Sequence, residues 1–203
     1  MLVIVDYGVG NLNSIINLCN RLDVQATVAR DLSDIEKATK LILPGVGHFA
    51  RAMDNLKQSG VIPILTRKVK EEKTPLLGFC VGMQLLAKHS EEGDVDGLGW
   101  IDAQVVKFRF DKQTLKLKIP HVGFNTIATK ESPIFKHVPD KSRFYFTHSY
   151  HLVCRDVRNV IGTTEYGYSF PSVIQDEKIY GTQFHPEKSH QAGINLIRGF
   201  VEG

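Results

Sequence analysis

No apolar run in this 203-residue chain approaches the length a membrane-spanning helix needs, and no segment repeats another or falls into low complexity. Cysteine is scarce. Cys19, Cys80 and Cys154 form an odd set without C-x-x-C spacing, which argues against a disulfide framework and fits a reducing compartment. Neither sign of charge dominates: 25 lysines and arginines face 22 acids, and the basic residues are spread along the chain. That balance gives no reason to expect nucleic acid as a partner. The opening Met1-Leu2-Val3-Ile4-Val5-Asp6 lacks a basic leader region and reads as a first strand rather than a signal peptide. Together these absences point to a soluble, cytoplasmic protein with no membrane contact.

What is present is ordinary globular composition, 42% hydrophobic and 23% charged, in a length suited to one domain over residues 1–203. The first half alternates short apolar runs with helical patterns. Leu2–Val5, Ala26–Ala29, Leu41–Leu43 and the run through Leu76 read as strands. Between them, Asn11 caps a helix whose apolar face is Leu12, Ile15, Ile16, Cys19 and Leu22, and Asp31 or Ser33 opens a short one. Phe49–Gln58, Ile62–Glu72 and Val81–Lys88 read as further helices. Strands alternating with helices predict an α/β fold with a central, mostly parallel sheet flanked by helices.

The second half is richer in strands. Val105–Phe110 and Leu115–Ile119 alternate basic and apolar residues and are expected to form a half-buried antiparallel pair, with Lys107, Arg109, Lys116 and Lys118 on a solvated face. Arg143–Tyr150, Leu152–Arg155, Val160–Thr164, Ser172–Gln175 and Ile179–Phe184 are further strands, and Gln191–Val201 a closing helix. Glu91–Gly97, acidic and glycine-rich, is the most exposed loop.

The chemistry concentrates in two places. Gly78-Phe79-Cys80-Val81-Gly82 follows the apolar run Pro75-Leu76-Leu77 and reads as strand, tight turn and helix, with a thiol where a G-x-S-x-G elbow carries serine. The positive end of the helix faces the sulfur. Near the other end, Phe184-His185-Pro186-Glu187-Lys188 ends an apolar strand. Pro186 biases His185 toward extended backbone, and residues two apart in such a stretch face one side, so Glu187 can hold the imidazole while its other nitrogen faces Cys80. Cysteine, histidine and carboxylate suggest acyl transfer through a thioester. Cys19, on an apolar helix face, and Cys154, within a strand, read as packing residues. Pro44-Gly45-Val46-Gly47 is a turn after a strand whose glycines leave backbone N–H groups free to meet an oxyanion. Gly8-Val9-Gly10-Asn11 lacks the third glycine of a dinucleotide loop, since Asn13 stands there. His121, His148 and His151 match no zinc spacing, so no metal is expected.

With these motifs in hand the chain resembles the triad glutamine amidotransferases, nearly end to end. The resemblance rests on Asp6-Tyr7-Gly8 with Gly10-Asn11, Leu43-Pro44-Gly45-Val46-Gly47, Gly82-Met83-Gln84-Leu85-Leu86, Pro120-His121-Val122-Gly123-Phe124-Asn125, Phe146-Thr147-His148-Ser149-Tyr150 and Gln183 through Ser189. The Pro-His-x-Gly and His-Ser-Tyr stretches are similar to those of the glutaminase subunits of histidine biosynthesis. Those subunits pass ammonia to a (βα)8-barrel synthase making imidazole glycerol phosphate and AICAR. The resemblance implies that Cys80 attacks L-glutamine, that His185 moves the proton, and that Glu187 orients His185. It further implies that Gly45, Val46 and Gly47 form the oxyanion strand, and that Gly47, Gln84, Ser149 and Tyr150 hold glutamine. Asn11, Tyr145 and Lys188 would meet the barrel subunit in a heterodimer, and no cofactor is called for. The chain departs from the family in Val122 and Phe124, where Met and Trp are usual, and in a longer connection from Lys107 to Pro120. Neither departure touches the triad. They leave open a paralogous use of the ammonia in amidino sugars of surface polysaccharides; the rival of another class is a non-catalytic scaffold for the barrel.

Overall fold

Alternation along the first strands decides the architecture. In the computed structural model, which describes residues 1–111 and 117–203, Leu2–Ile4 (β1) sends Val3 to one hydrophobic cluster and Leu2 and Ile4 to another on the opposite face. A strand whose residues are buried on both faces must be covered on both. The cover and the rest of the sheet follow in chain order: Leu12–Asn20 (α1), Ala26–Val28 (β2), Leu32–Glu36 (α2), Lys40–Leu43 (β3), Phe49–Gln58 (α3) and Ile62–Thr66 (α4). Leu76–Phe79 (β4) and Val81–Gln84 (α5) form the elbow.

The second half adds His89–Ser90 (β5), Val95–Asp96 (β6), Ala103–Lys107 (β7), His121–Thr126 (β8), Ala128–Thr129 (β9), Arg143–His148 (β10) and Tyr150–Cys154 (β11). Val160–Glu165 (β12), Ser169–Asp176 (β13), Ile179–Thr182 (β14) and His190–Glu202 (α6) complete it. The main sheet runs β2-β1-β3-β4-β14-β13-β12-β9. Its first five strands are parallel and the remainder antiparallel. A small sheet, β11-β7-β5-β6, covers one face with α3, while α1, α6 and the β8–β10 pair cover the other. The α/β expectation is met, and no helix among the described residues is long and apolar enough to cross a membrane.

Three local expectations are corrected. The strand expected over Val105–Phe110 ends at Lys107, and among the described residues it has no partner in Leu117–Ile119. Instead β7 lies between β5, in parallel, and β11, antiparallel. Leu117–Ile119 forms no strand, and positions 112–116, with Leu115 and Lys116, lie outside the described residues. Alternation identifies which residues face the core but carries no information about which strand lies alongside. The helix after the elbow stops at Gln84 rather than Lys88, because the carbonyls of Leu85, Leu86 and Ala87 accept from Leu98, Ile101 and Gly99. Ile62–Glu72 is not one α-helix: α4 ends at Thr66 and passes into a π turn at Arg67–Glu71, where Lys68 pairs with Glu72 at 2.9 Å.

Candidate active site

Cys80, Pro44–Gly47, Asp6–Gly10 and His185 all follow the carboxyl ends of parallel strands (β4, β3, β1 and β14), the end of an open α/β sheet where ligands bind. The elbow is tightly built. Cys80 has φ 49° and ψ −109°, a region that L residues avoid, and its N–H donates to the Thr182 carbonyl at 2.7 Å. Gly82 permits this turn to press on β3, since a Cβ there would lie inside the Leu43 carbonyl.

His185 stands at the end of β14 with its Nδ1–H donating to Glu187 Oε1 at 2.8 Å; the two side chains are 2% and 3% exposed. Pro186–Lys188 is a single 3-10 turn, so the pair meets across a turn rather than along an extended stretch, Pro186 supplying the preset first φ. Cys80 and His185 line one cavity, on whose wall the imidazole and the sulfur stand together. Burial pulls His185 down, but the influence of Cys80 and the bonded, charged Glu187 outweighs it and lifts the ring to about 10. Cys19 and Cys154 are pushed up to about 11 by burial, with Asp156 adding to the effect at Cys154, and both stay thiols.

A cavity of about 330 Å³ opens onto the sulfur. Its lining brings together Val46, Gly47, Cys80, Gln84, Ser149, Tyr150, His185 and Lys188, residues scattered from position 46 to position 188. Ser149 arrives there because the chain leaves β10 and enters β11 at that point, its carbonyl held by the Phe108 N–H at 3.0 Å. Both N–H donors of Gln84 are engaged, with Tyr150 O at 3.1 Å and Gln183 Oε1 at 3.0 Å, which leaves its carbonyl oxygen for a ligand. Gly45 does not line the cavity; it is wedged against Gly82 and Val81. The segment beyond it is freer: Val46 is 39% exposed, and Gly47, at φ 89°, has open space where a Cβ would stand.

Several site residues carry no signal of their own in the sequence. Glu92 is the acid on the cavity wall, its Oε2 accepting from the Phe49 N–H at 2.8 Å. In the sequence it belongs to an acidic loop that reads only as exposed. Tyr7, buried, donates its hydroxyl to Pro44 O at 2.6 Å and so anchors the start of the Gly45–Gly47 segment. Burial, and then the charge at Cys80, push its phenol well above the usual range, so it remains a donor. His121, His148 and His151 do come together, around Phe108 and Phe170. His121 Nδ1 and His148 Nε2 are 3.1 Å apart and bonded to each other. Among the described residues, no group of three or more His, Cys, Asp or Glu side chains is placed to hold a metal.

Asn11, Tyr145 and Lys188 also converge. Lys188 Nζ lies 5.6 Å from the centre of the Tyr145 ring, and Asn11 and Lys188 border one shallow depression with Val46. The Phe124 ring, 38% exposed, lies 5.5 Å from that of Tyr145, and Val122, 57% exposed, stands two residues before Phe124 on β8. A paired thiol, imidazole and carboxylate at the floor of a polar cavity can form and resolve an acyl-enzyme.

Comparison with known proteins agrees with this geometry. A model described as glutamine amidotransferase class-I matches residues 3–202. Imidazole glycerol phosphate synthase subunit HisH 2 of Methanococcus maripaludis is 48% identical over 203 residues, covering 100% of this chain and 99% of the relative. The HisH subunit of the same synthase from Leptospira borgpetersenii is 44% identical over 202 residues, 99% of each. Among solved structures, PurLQS from Thermotoga maritima superposes with a TM-score of 0.73 at 14% identity, covering 99% of this chain and 97% of that one, a likeness of fold.

Proposed function

The chain belongs to the class-I glutamine amidotransferases, and from that premise we propose that it is the glutaminase subunit of an imidazole glycerol phosphate synthase, serving histidine biosynthesis. The observation that carries the chemistry is the buried His185–Glu187 pair, bonded at 2.8 Å and lining one cavity with Cys80. Full-length relatives named as HisH subunits of that synthase carry the pathway.

In this reading glutamine lies with its side-chain amide over Cys80. Its α-ammonium meets Glu92, and its polar backbone end meets the Gln84 oxygen and the Ser149–Tyr150 segment. The sulfur attacks the amide carbon while backbone N–H groups of Val46 and Gly47 take the oxyanion. His185 gives its proton to the amide nitrogen, the C–N bond breaks, and ammonia leaves. Water then attacks the thioester, His185 takes its proton, and glutamate departs with the sulfur restored. The balance is glutamine and water to glutamate, ammonia and one proton: His185 carries a proton from water to the leaving nitrogen over the cycle, and the new γ-carboxyl group releases the other to solvent.

Free ammonia would be protonated and lost in bulk water, so the reading includes a partner that receives it directly. The partner is a (βα)8-barrel synthase subunit, docked over Asn11, Tyr145, Lys188 and the exposed Val122 and Phe124 in a heterodimer. The compartment is the cytoplasm, consistent with three free cysteines. The test is glutamate release from glutamine by this chain mixed with the histidine-pathway barrel subunit of the same genome, with and without that subunit's nucleotide substrate. Strong stimulation is expected. No stimulation, from protein whose Cys80 still reacts with a glutamine-like alkylating analogue, overturns the histidine assignment and points to a paralogous barrel such as that of amidino-sugar synthesis. Absence of labelling points to the scaffold instead.

A further inference from the structure

Gln183 has no part in the reaction just described, yet it is a fully buried polar residue set against the nucleophile. Its Nε2 lies 3.7 Å from Cys80 Sγ, and its backbone N–H donates to Ser172 O at 2.9 Å. Which end of its amide faces the sulfur follows from a group that has no choice. The Tyr150 carbonyl can only accept, so the Gln84 atom 3.1 Å from it is the nitrogen. That same nitrogen is 3.0 Å from the Gln183 amide, whose facing atom is therefore the oxygen. The Gln183 nitrogen is left pointing at the sulfur.

The other lone pair of the Tyr150 carbonyl is also occupied. His148 Nδ1–H donates to it at 2.8 Å, so His148 Nε2 is an acceptor and takes the proton of His121 Nδ1 at 3.1 Å. The His121 Nε2 then faces the Asn125 amide at 3.4 Å. The whole chain of donors has one consistent direction, and it fixes the Gln84 and Gln183 amides in a single orientation.

We propose that Gln183 steadies the anionic form of the Cys80 sulfur, its side-chain N–H donating to the thiolate opposite the imidazolium of His185. The inference deepens the glutaminase reading of the same cavity. A hydrogen bond to charged sulfur is stronger than one to a neutral thioester, so the contact favours the thiolate both before attack and when water expels it from the acyl-enzyme. No atom is transferred to or from Gln183.

The test is the pH dependence of iodoacetamide alkylation at Cys80 in the full chain, followed by mass spectrometry so that Cys19 and Cys154 are counted separately. Gln183→Met keeps length and removes the donor. Alkylation at pH 7 should slow about tenfold, the effect of one hydrogen bond to a charged atom, and should rejoin the parent rate at high pH. Gln183→Glu keeps an oxygen for Gln84 but sets a carboxylate beside the sulfur, and should be slower still at pH 7. A uniform slowing at every pH with a fall in Tm would mean that Gln183 only packs, and a Met variant reacting like the parent at every pH also overturns the proposal. The unmodified protein supplies an independent reading. The side-chain amide resonance of Gln183 should move across the pH range in which alkylation accelerates, and a stationary resonance refutes the contact even if neither variant folds. Parent chain that shows the alkylation pattern but releases no glutamate with any barrel partner overturns the glutaminase reading and leaves this one standing.

Discussion

At Cys80 the backbone is held at φ 49°, where only glycine is at ease, and the strain is retained because the turn presents the sulfur to His185. Replacing Cys80 by Gly should therefore abolish glutamate release while leaving Tm unchanged or raised, the relief of about 1–3 kcal/mol of strain exceeding the entropy cost of glycine. A Tm loss of several degrees would show that the turn is not strained. At Glu187 the expected outcome is different. Glu187→Gln keeps the shape but no longer holds an imidazolium with a charge, and kcat should fall at least about a hundredfold with little change in KM. The same measurement on Glu92→Gln should reverse the split, raising KM for glutamine while kcat changes little, because in the proposed pose that carboxylate meets the α-ammonium, far from the scissile bond.

Among the elements, α1 shows how much the sequence discloses. Asn11 is readable as its cap, and its side chain accepts from the Ser14 N–H at 3.2 Å. Asn11→Ala should cost about 1 kcal/mol of stability in urea melts. Asn11→Ser restores the cap, so any remaining loss of stimulation by the barrel subunit reports on docking alone. The same local signals locate β1, β3, β4 and α3, and the elbow and His-Pro-Glu motifs carry the site. What local pattern does not provide is the identity of neighbours in space. β8 escapes a sequence reading because its apolar residues, Val122 and Phe124, lie on the exposed face while His121 is the buried one, Gly123 interrupts it at φ 133°, and its partner β10 lies some twenty residues on. The four-residue length of α5 is hidden for a related reason, since the carbonyls that end it bond to a segment more than ten residues away. Gln183 and Tyr7 stand inside recognisable motifs, but a role at the sulfur or at Pro44 emerges only when residues 103 or 37 positions apart are laid side by side.

For the molecule as a whole, the buried histidines set the pH window of stability. Burial holds His121 down to about 4 and His148 down to about 3, the latter against the pull of its bond to the Tyr150 carbonyl, and His151 is also lowered. The unfolded chain protonates these rings near pH 6.5 and the folded one does not, so their contribution is complete above pH 6.5 and drains away as pH falls toward 4 and 3. By pH 5 the loss is up to about 2 kcal/mol for His121 and for His148. His185, raised to about 10, acts in the opposite sense: its contribution is full below pH 6.5 and is lost as pH climbs through 10. Urea melts at pH 7 and pH 5 should show the acid loss, and His121→Asn should flatten it; a parent slope unchanged in that variant would contradict the assignment.

The position of β14 has one more consequence. It lies between β4 and β13 in the middle of the main sheet, yet it is the last strand of the chain, and its end carries His185. Its pairing with β13 is local, but its pairing with β4 joins segments about a hundred positions apart, and pairings this distant in sequence form late. A nascent or C-terminally clipped chain thus carries the thiol without the base that serves it. Thiol and base are thus assembled by the same strand pairing that closes the sheet, and folding and competence arrive together.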